Sequence, residues 1–269
     1  MAPAAFAAGG APAVGDAAGD LKLGVATYSF REFQRGLAIS NIKKLGVKYV
    51  NIKEFHLPLT ATPEEIAKAK AEFEKAGLVI LGGGNVSFQK NDEDDIRKKF
   101  VYAKAAGMGV IVCAPTHETL PKMEKYVKEF DIKIAVHNHG PEDKHFPTPQ
   151  SVLQAVKNMD PRCGLCMDIG HTSRTGVDVV ESIIEAGPRL LDMHSKDLAD
   201  PMAKDSQVPV GEGKLPIGRI FAQLVKMKYN GCVNLEYEVQ ADNPLPGMTK
   251  SFAYMRGVLA GIQAAKYPS

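Results

Sequence analysis

Two stretches of the chain end apolar runs in residue types that bind metal ions. Cys163 to Met167 gives way to Asp168, with His171 three positions on; Arg189 to Met193 gives way to His194, then Lys196 and Asp197. Val179, Val180, Ile183 and Ile184 lie between them on one helix face, so the stretch reads strand, helix, strand with polar strand ends. Two further apolar runs close on His137-Asn138-His139 and on Glu236, with Glu238 two positions beyond. The seven histidines stand at 56, 117, 137, 139, 145, 171 and 194. Each falls at the C-terminal end of an expected strand or in the loop after it, and none in an expected helix. Imidazoles and carboxylates gathered at strand ends point to metal binding and proton transfer.

The elements that must position these residues alternate along the chain. Expected strands run over Leu23 to Tyr28, Val47 to Lys53, Leu78 to Leu81, Val110 to Ala114, Ile132 to Val136, Cys163 to Met167, Arg189 to Met193 and Cys232 to Leu235. Helices are expected near Leu37 to Lys44, from Thr62-Pro63 to Gly77, Asp92 to Ala106, after His117 to Phe130, and from Thr148-Pro149. Two more cover Ile217 to Lys228 and Lys250 to Ala265. Thr62 and Glu65 form a capping box around Pro63, Ile66, Ala69, Phe73 and Ala76 make the buried stripe, and Gly77 stops the helix. The third strand breaks into Gly82-Gly83-Gly84-Asn85, read as a tight turn that lets a ligand approach the backbone, with Asn85 as a candidate substrate contact. Asp200 to Pro216 reads as a long loop, and its Gly-Glu-Gly-Lys is not a phosphate loop because no Ser or Thr follows the lysine.

Eight strand–helix units in 269 residues give an α/β fold, a single-domain (β/α)8 barrel. A doubly wound sheet is the rival, but no nucleotide fingerprint follows the first strand. His137, Asp168, His194 and Glu236 then come from strands five to eight, four neighbours whose end residues converge on one point. Two imidazoles and two carboxylates suit one divalent ion of manganese, zinc, cobalt or iron, with nickel also accommodated and an all-oxygen magnesium site less suited. Residues two apart on a strand share a face, so His139, Lys196 and Glu238 are placed to look into the same site.

Composition bounds the partners. Thirty-three basic against 31 acidic residues leave a net charge of +2, which favours neither nucleic acid nor an anionic membrane. No apolar run approaches the roughly 20 residues of a membrane span. Cys113, Cys163, Cys166 and Cys232 all fall in expected strands. Cys163 and Cys166, three apart on one strand, face opposite sides and read as small core residues, neither zinc ligands nor a redox pair. Residues 1–20, almost all Ala, Gly and Pro, are expected to be disordered and to precede a catalytic domain over 21–269. They look like the tail of an export signal without its basic start, so an exported protein with its signal removed is expected, a cytoplasmic one being the alternative.

From about Leu21 to Ala265 the chain resembles the xylose isomerase-like barrel superfamily of sugar phosphate isomerases and epimerases. The resemblance rests on MDIGH, MHSKD, VPVGEGKLP before the seventh helix, and NLEYE. It implies that Asp168, His194 and Glu236 bind one divalent metal, with His171 beside the substrate. One departure matters. Epimerases of the superfamily carry a glutamate on strand five, as metal ligand and as one of two acid/base groups on opposite sugar faces; this chain has His137. In this it looks more like the inosose dehydratase branch, and like proteins that cleave or hydrate 3-keto-sugars made by a partner sugar dehydrogenase.

The implied reaction abstracts a proton next to a sugar carbonyl, through an enediolate that a divalent Lewis acid stabilises by several kcal/mol. A positioned base contributes roughly 10²–10⁴-fold. Candidate bases are Glu236, Lys53, Lys196 and His56, the second and fourth lying after strand two across the barrel mouth. The leading expectation is a lyase or hydratase acting on a 3-keto-sugar or keto-glycoside, and the alternative is an isomerase or epimerase. An apurinic-site endonuclease shares the barrel, but uses extra histidines after strands three and four, where this chain has Gly-Gly-Gly-Asn. A non-enzymatic sugar-binding barrel would not need all four ligand-type positions. The expected partner is a small carbohydrate, and a homo-oligomer is left open.

Overall fold

The computed structural model describes residues 21–266, and the expected extension over 1–20 lies outside the described residues. In chain order the elements are β1 Lys22–Ala26, α1 Arg35–Lys44, β2 Tyr49–Ile52, α2 Pro63–Lys75, β3 Val79–Phe88, α3 Glu93–Ala106 and β4 Val110–Pro115. Then follow α4 Leu120–Phe130, β5 Lys133–His137, α5 Pro149–Val156, β6 Cys163–Asp168, α6 Ile169–Arg174, α7 Val179–Ala186 and β7 Leu190–Ser195. The chain ends with β8 Asp197–Leu198, β9 Gln207–Val208, α8 Ile217–Lys226, β10 Cys232–Leu235 and α9 Leu245–Lys266. Eight parallel strands close in the order β1-β10-β7-β6-β5-β4-β3-β2, and β8 pairs with β9 as a small antiparallel hairpin. This is a (β/α)8 barrel in one domain.

Local chemistry sets the helix ends. Thr62 accepts from the Glu65 amide while the Glu65 carboxylate accepts from the Thr62 amide, the reciprocal box that satisfies two orphan donors of α2. Ile66, Ala69 and Phe73 are its buried residues. Asp92 caps α3, and Gly107 ends it in the left-handed region at φ 77°.

Strand alternation divides the core. Ile111, Cys113, Ile134, Val136, Cys163, Leu165 and Met167 belong to the large apolar cluster between barrel and helices. Val112, Ala135 and Cys166 form a second, small cluster. Two residues along the same faces stand His137 and Asp168, so the inward register of β5 and β6 delivers them to the barrel mouth. The cysteines are all buried and free, with Cys163 and Cys166 in different clusters.

Three expectations on elements change. β3 does not stop at Leu81 but runs on through the glycines to Phe88. The glycines serve strand packing: a Cβ on Gly82 would lie 2.8 Å from the Val110 carbonyl, and one on Gly84, at φ 116°, 2.0 Å from that of Val112. The register with β4 shifts between Gly83 and Val86, so the stretch is an irregularity inside a strand and not a turn. The first strand ends at Ala26, and Thr27–Phe30 form a single 3-10 turn that carries Tyr28 outward. The loop after β7 is organised by Asp197, whose carboxylate accepts from the amides of Leu198, Gly211, Gly213 and Leu215 at 2.9–3.1 Å. That bonding ties the MHSKD and VPVGEGKLP segments to each other. Among the described residues no helix is long and apolar enough to cross a membrane.

Candidate metal centre

Ligand-type atoms of His137, Asp168, His194 and Glu236 lie within 4.8 Å of one another, all buried. They come from β5, from the ends of β6 and β7, and from the residue after β10. The contacts are close: His137 Nε2 to His194 Nδ1 is 3.0 Å, His137 Nε2 to Asp168 Oδ2 3.6 Å, and His194 Nδ1 to Glu236 Oε2 3.1 Å. Cys166 lies close enough to join His137 and His194 in a second grouping. Burial pushes its thiol well above the usual range, which leaves it a poor ligand beside the carboxylates.

The donor set fits a divalent ion. Asp168 Oδ2 is buried and accepts no well-aligned hydrogen bond, although Lys196 Nζ lies 2.9 Å away. Nε2 of His137 and Nδ1 of His194 face each other and the carboxylates at the distances above, so a bound ion would meet both rings and both carboxylates at one point. A borderline cation satisfies that mixture of N and O donors better than water or protein donors do.

Electrostatics keep the carboxylates ionised. Burial raises Asp168, but Lys196, His171 and His137 together outweigh it and hold the carboxyl well below its ordinary value. Glu236 behaves alike: burial raises it, while His194, Lys53 at 3.0 Å and Lys196 at 3.3 Å pull it well down. Lys196 responds in the opposite direction, since burial lowers it but Asp168, Glu238 and Glu236 hold it well above the usual lysine range. Lys196 is thus the counter-ion of these three carboxylates. Burial lowers His194 to about 4, His171 to about 3, and His139 as well, so these rings are neutral at physiological pH.

Above the cluster opens a cavity of about 210 Å³, lined among others by Tyr28, Lys53, Asn85, His139, His171 and Glu238. The expected contacts Asn85, His139, His171, Glu238 and Lys53 are thus brought together around His137, His194 and Glu236. His56 is not among them. Its Nδ1 meets Thr27 Oγ1 at 3.0 Å and its Nε2 the carbonyls of Phe30 and Phe33, so it pins the 3-10 turn and is withdrawn as a base. His117 and His145 pack on each other and both on Phe146, outside the cavity lining. His171 lies inside α6, against the expectation that no histidine is helical; Asp168 Oδ1 caps that helix by accepting from the His171 amide at 2.8 Å.

Sequence reasoning passes over Tyr28, Glu54 and Phe55 at the rim, where the two rings meet edge to face at 5.6 Å. Their positions just past the first two strands are the only signal that marks them. It also passes over Asp192, buried inside the barrel and accepting from the Asn51 amide at 3.1 Å and the Asn234 amide at 2.8 Å. Burial pushes this carboxyl up to about 7.

A search of curated proteins returns no significant match. Solved structures similar in fold include an uncharacterised protein from Parabacteroides distasonis ATCC 8503, 24% identical over 88% of this chain and 98% of that one, TM-score 0.69. The probable 3-DHS dehydratase AsbF of petrobactin synthesis from Bacillus anthracis is 14% identical over 88% and 99%, TM-score 0.71. D-psicose 3-epimerase from Clostridium cellulolyticum H10, solved with D-tagatose, is 16% identical over 89% and 99%, TM-score 0.70. The family profile described as xylose isomerase-like TIM barrel matches residues 39–258, and the chain belongs to that family.

Proposed function

We propose that this protein is a divalent-metal-dependent lyase or hydratase that removes a proton next to the carbonyl of a 3-keto-sugar or keto-glycoside. The observation that carries this reading is the make-up of the cavity: a four-ligand cluster at its floor, with His137 where a paired-glutamate epimerase needs a carboxylate. An ion held by His137, Asp168, His194 and Glu236 would supply Lewis-acid stabilisation of negative charge on the carbonyl and neighbouring hydroxyl oxygens.

The chain's own groups divide the remaining work. His139 is neutral and lines the cavity, so it can accept the proton from the carbon beside the carbonyl. The C–H electron pair moves towards the carbonyl and, on its return, expels the oxygen substituent at the β carbon. Lys53, an ammonium 3.0 Å from Glu236, is placed to give that leaving oxygen its proton. Glu236 itself is a poor base, since it is held by Lys53, Lys196 and His194. Elimination needs one base and one acid. Epimerisation needs an acid/base group on each face of one carbon, and Lys53 is the group that would provide the second face. A free monosaccharide is small enough for the cavity, and the Tyr28–Phe55 rim offers apolar surface to a glycoside's second group.

The test is incubation in D₂O with a methyl 3-keto-glucoside and, separately, with free ketohexoses, followed by NMR. Release of methanol with an unsaturated or hydrated keto product is expected, and Asp168→Ala should abolish it. Fast, reversible epimer formation with deuterium incorporated and no elimination product would overturn the lyase reading in favour of an epimerase.

A further inference from the structure

The short helix α6 holds an arrangement that the proposed proton transfers leave unused. Arg174 follows His171 by one helical turn, the spacing that lets two side chains meet. Its Nη1 lies 3.1 Å from His171 Nδ1, and its Nη2 pairs with the Glu142 carboxylate. Arg174 as a whole is only 7% exposed, although it bears a guanidinium. Gly140, at φ 84°, closes over the contact: a Cβ there would stand 3.1 Å from His171 Nδ1 and 3.3 Å from Arg174 Nη1. The backbone of His171 is tied from the other side by Asp168 Oδ1.

We propose that Arg174 is a positioning residue that fixes His171 as the tautomer carrying its proton on Nε2, so that the ring offers the cavity a hydrogen-bond donor. A guanidinium has five N–H donors, no acceptor, and keeps its proton throughout the accessible pH range. A contact of 3.1 Å to Nδ1 therefore requires a lone pair on Nδ1. A proton on Nδ1 would set N–H against N–H. The single ring proton is left on Nε2, which has no protein partner among the described residues, on a ring that forms part of the cavity wall. A fixed donor beside the metal cluster selects for a substrate oxygen at that point, a carbonyl or hydroxyl, and against an ammonium or amide N–H. The tautomer stands on this geometry alone; only which sugar oxygen it meets rests on the proposed reaction.

Long-range ¹H–¹⁵N correlation spectra of the uniformly ¹⁵N-labelled full chain, both chelator-treated and zinc-loaded, read the tautomer directly. The His171 ring is assigned by its loss in His171→Gln. The wild type should show a protonated Nε2 and an unprotonated Nδ1 across neutral pH. In Arg174→Met the Nδ1–H population should rise roughly tenfold or more, the ratio a charged donor's hydrogen bond supports, and Arg174→Lys should restore the wild-type pattern. A merely structural arginine would lower the melting temperature of Arg174→Met without moving the tautomer, and that result overturns the proposal. So does a wild-type ring protonated on Nδ1 or on both nitrogens, a measurement that decides the matter even where Arg174→Met does not fold. Because no substrate enters this experiment, its failure and that of the lyase reading are separate results.

Discussion

Lys196 Nζ stands 2.9 Å from Asp168 Oδ2 and 3.3 Å from Glu236 Oε2, the carboxylates proposed to hold the metal. Its ammonium and a divalent ion compete for the same negative charge. At such separations a unit charge is worth several kcal/mol even in a partly screened site. Lys196→Met should therefore bind Mn²⁺ or Zn²⁺ roughly tenfold more tightly or better, as titration calorimetry would show. Weaker binding would mean that the lysine serves chiefly to hold the carboxylates in place. A second prediction concerns Asp192, whose carboxyl burial raises from 3.8 to about 7. A raised folded-state value contributes stability in full below the unfolded value and loses it as pH climbs to the folded one, at most about 1.4 kcal/mol per pH unit. His171 and His194, lowered to about 3 and about 4, act in the other direction: they favour the fold above 6.5 and lose that contribution as pH falls. Asp192→Asn removes the first effect alone. In chelator-treated protein its melting temperature relative to wild type should climb between pH 4 and pH 7. A difference that stays flat over that range would show that Asp192 is not held protonated. At this scale the convergence of His137, Asp168, His194 and Glu236 was legible because each sits two residues beyond an inward-facing strand residue. His56 was misleading for a physical reason: position at a strand end says nothing about which way a ring turns, and its partners Thr27, Phe30 and Phe33 belong to a distant segment.

The elements were legible where local chemistry dictates them and illegible where tertiary contact does. The capping box of α2 and the helix-ending Gly77 can be read from Thr62 to Gly77 without any partner in space. β3 cannot, because Gly82, Gly83 and Gly84 lack side chains to pack and look like a turn until β4 is laid beside them. Their absent side chains are what admits the close approach. Gly84→Ala would place a Cβ 2.0 Å from the Val112 carbonyl in a backbone conformation that disfavours any side chain. The cost should be about 2–4 kcal/mol, by strain and displacement of β4. Urea denaturation would show it as a lowered midpoint with an unchanged slope. A loss below about 0.5 kcal/mol would mean that the irregularity relaxes freely. Gly36→Ala, where a Cβ would meet nothing within 4 Å, is the control and should be neutral or mildly stabilising. The same limit explains α6: six residues opened by Asp168 are too short to leave a periodic pattern, so the turn that brings Arg174 onto His171 was hidden.

On the scale of the whole molecule, the proposed ligands join neighbouring segments of a closed wall. His137, Asp168 and His194 rise from β5, β6 and β7, and Glu236 follows β10, which are consecutive in the barrel order. Two imidazoles and two carboxylates converge there, all buried, with Lys53 and Lys196 as the counter-charges. The nitrogens that face the centre, His137 Nε2 and His194 Nδ1, stand 3.0 Å apart, and Asp168 Oδ2 has Lys196 Nζ 2.9 Å away. An ion that binds only when those strands are in register binds the folded chain and not the unfolded one. At a free concentration 100 times its dissociation constant it should then stabilise the barrel by about 2.7 kcal/mol. For a domain of this size that corresponds to a melting temperature higher by roughly 5–10 °C. Asp168→Ala and His194→Ala should lose most of that rise, each measured against its own metal-free melting temperature, which falls for Asp168→Ala because the α6 cap and the Lys196 partner go with the carboxylate. Scanning calorimetry of the three proteins, with and without Mn²⁺ or Zn²⁺, makes the comparison. An equal metal-induced rise in all three would place the ion somewhere other than the strand ends, and the proposed centre would fail with it.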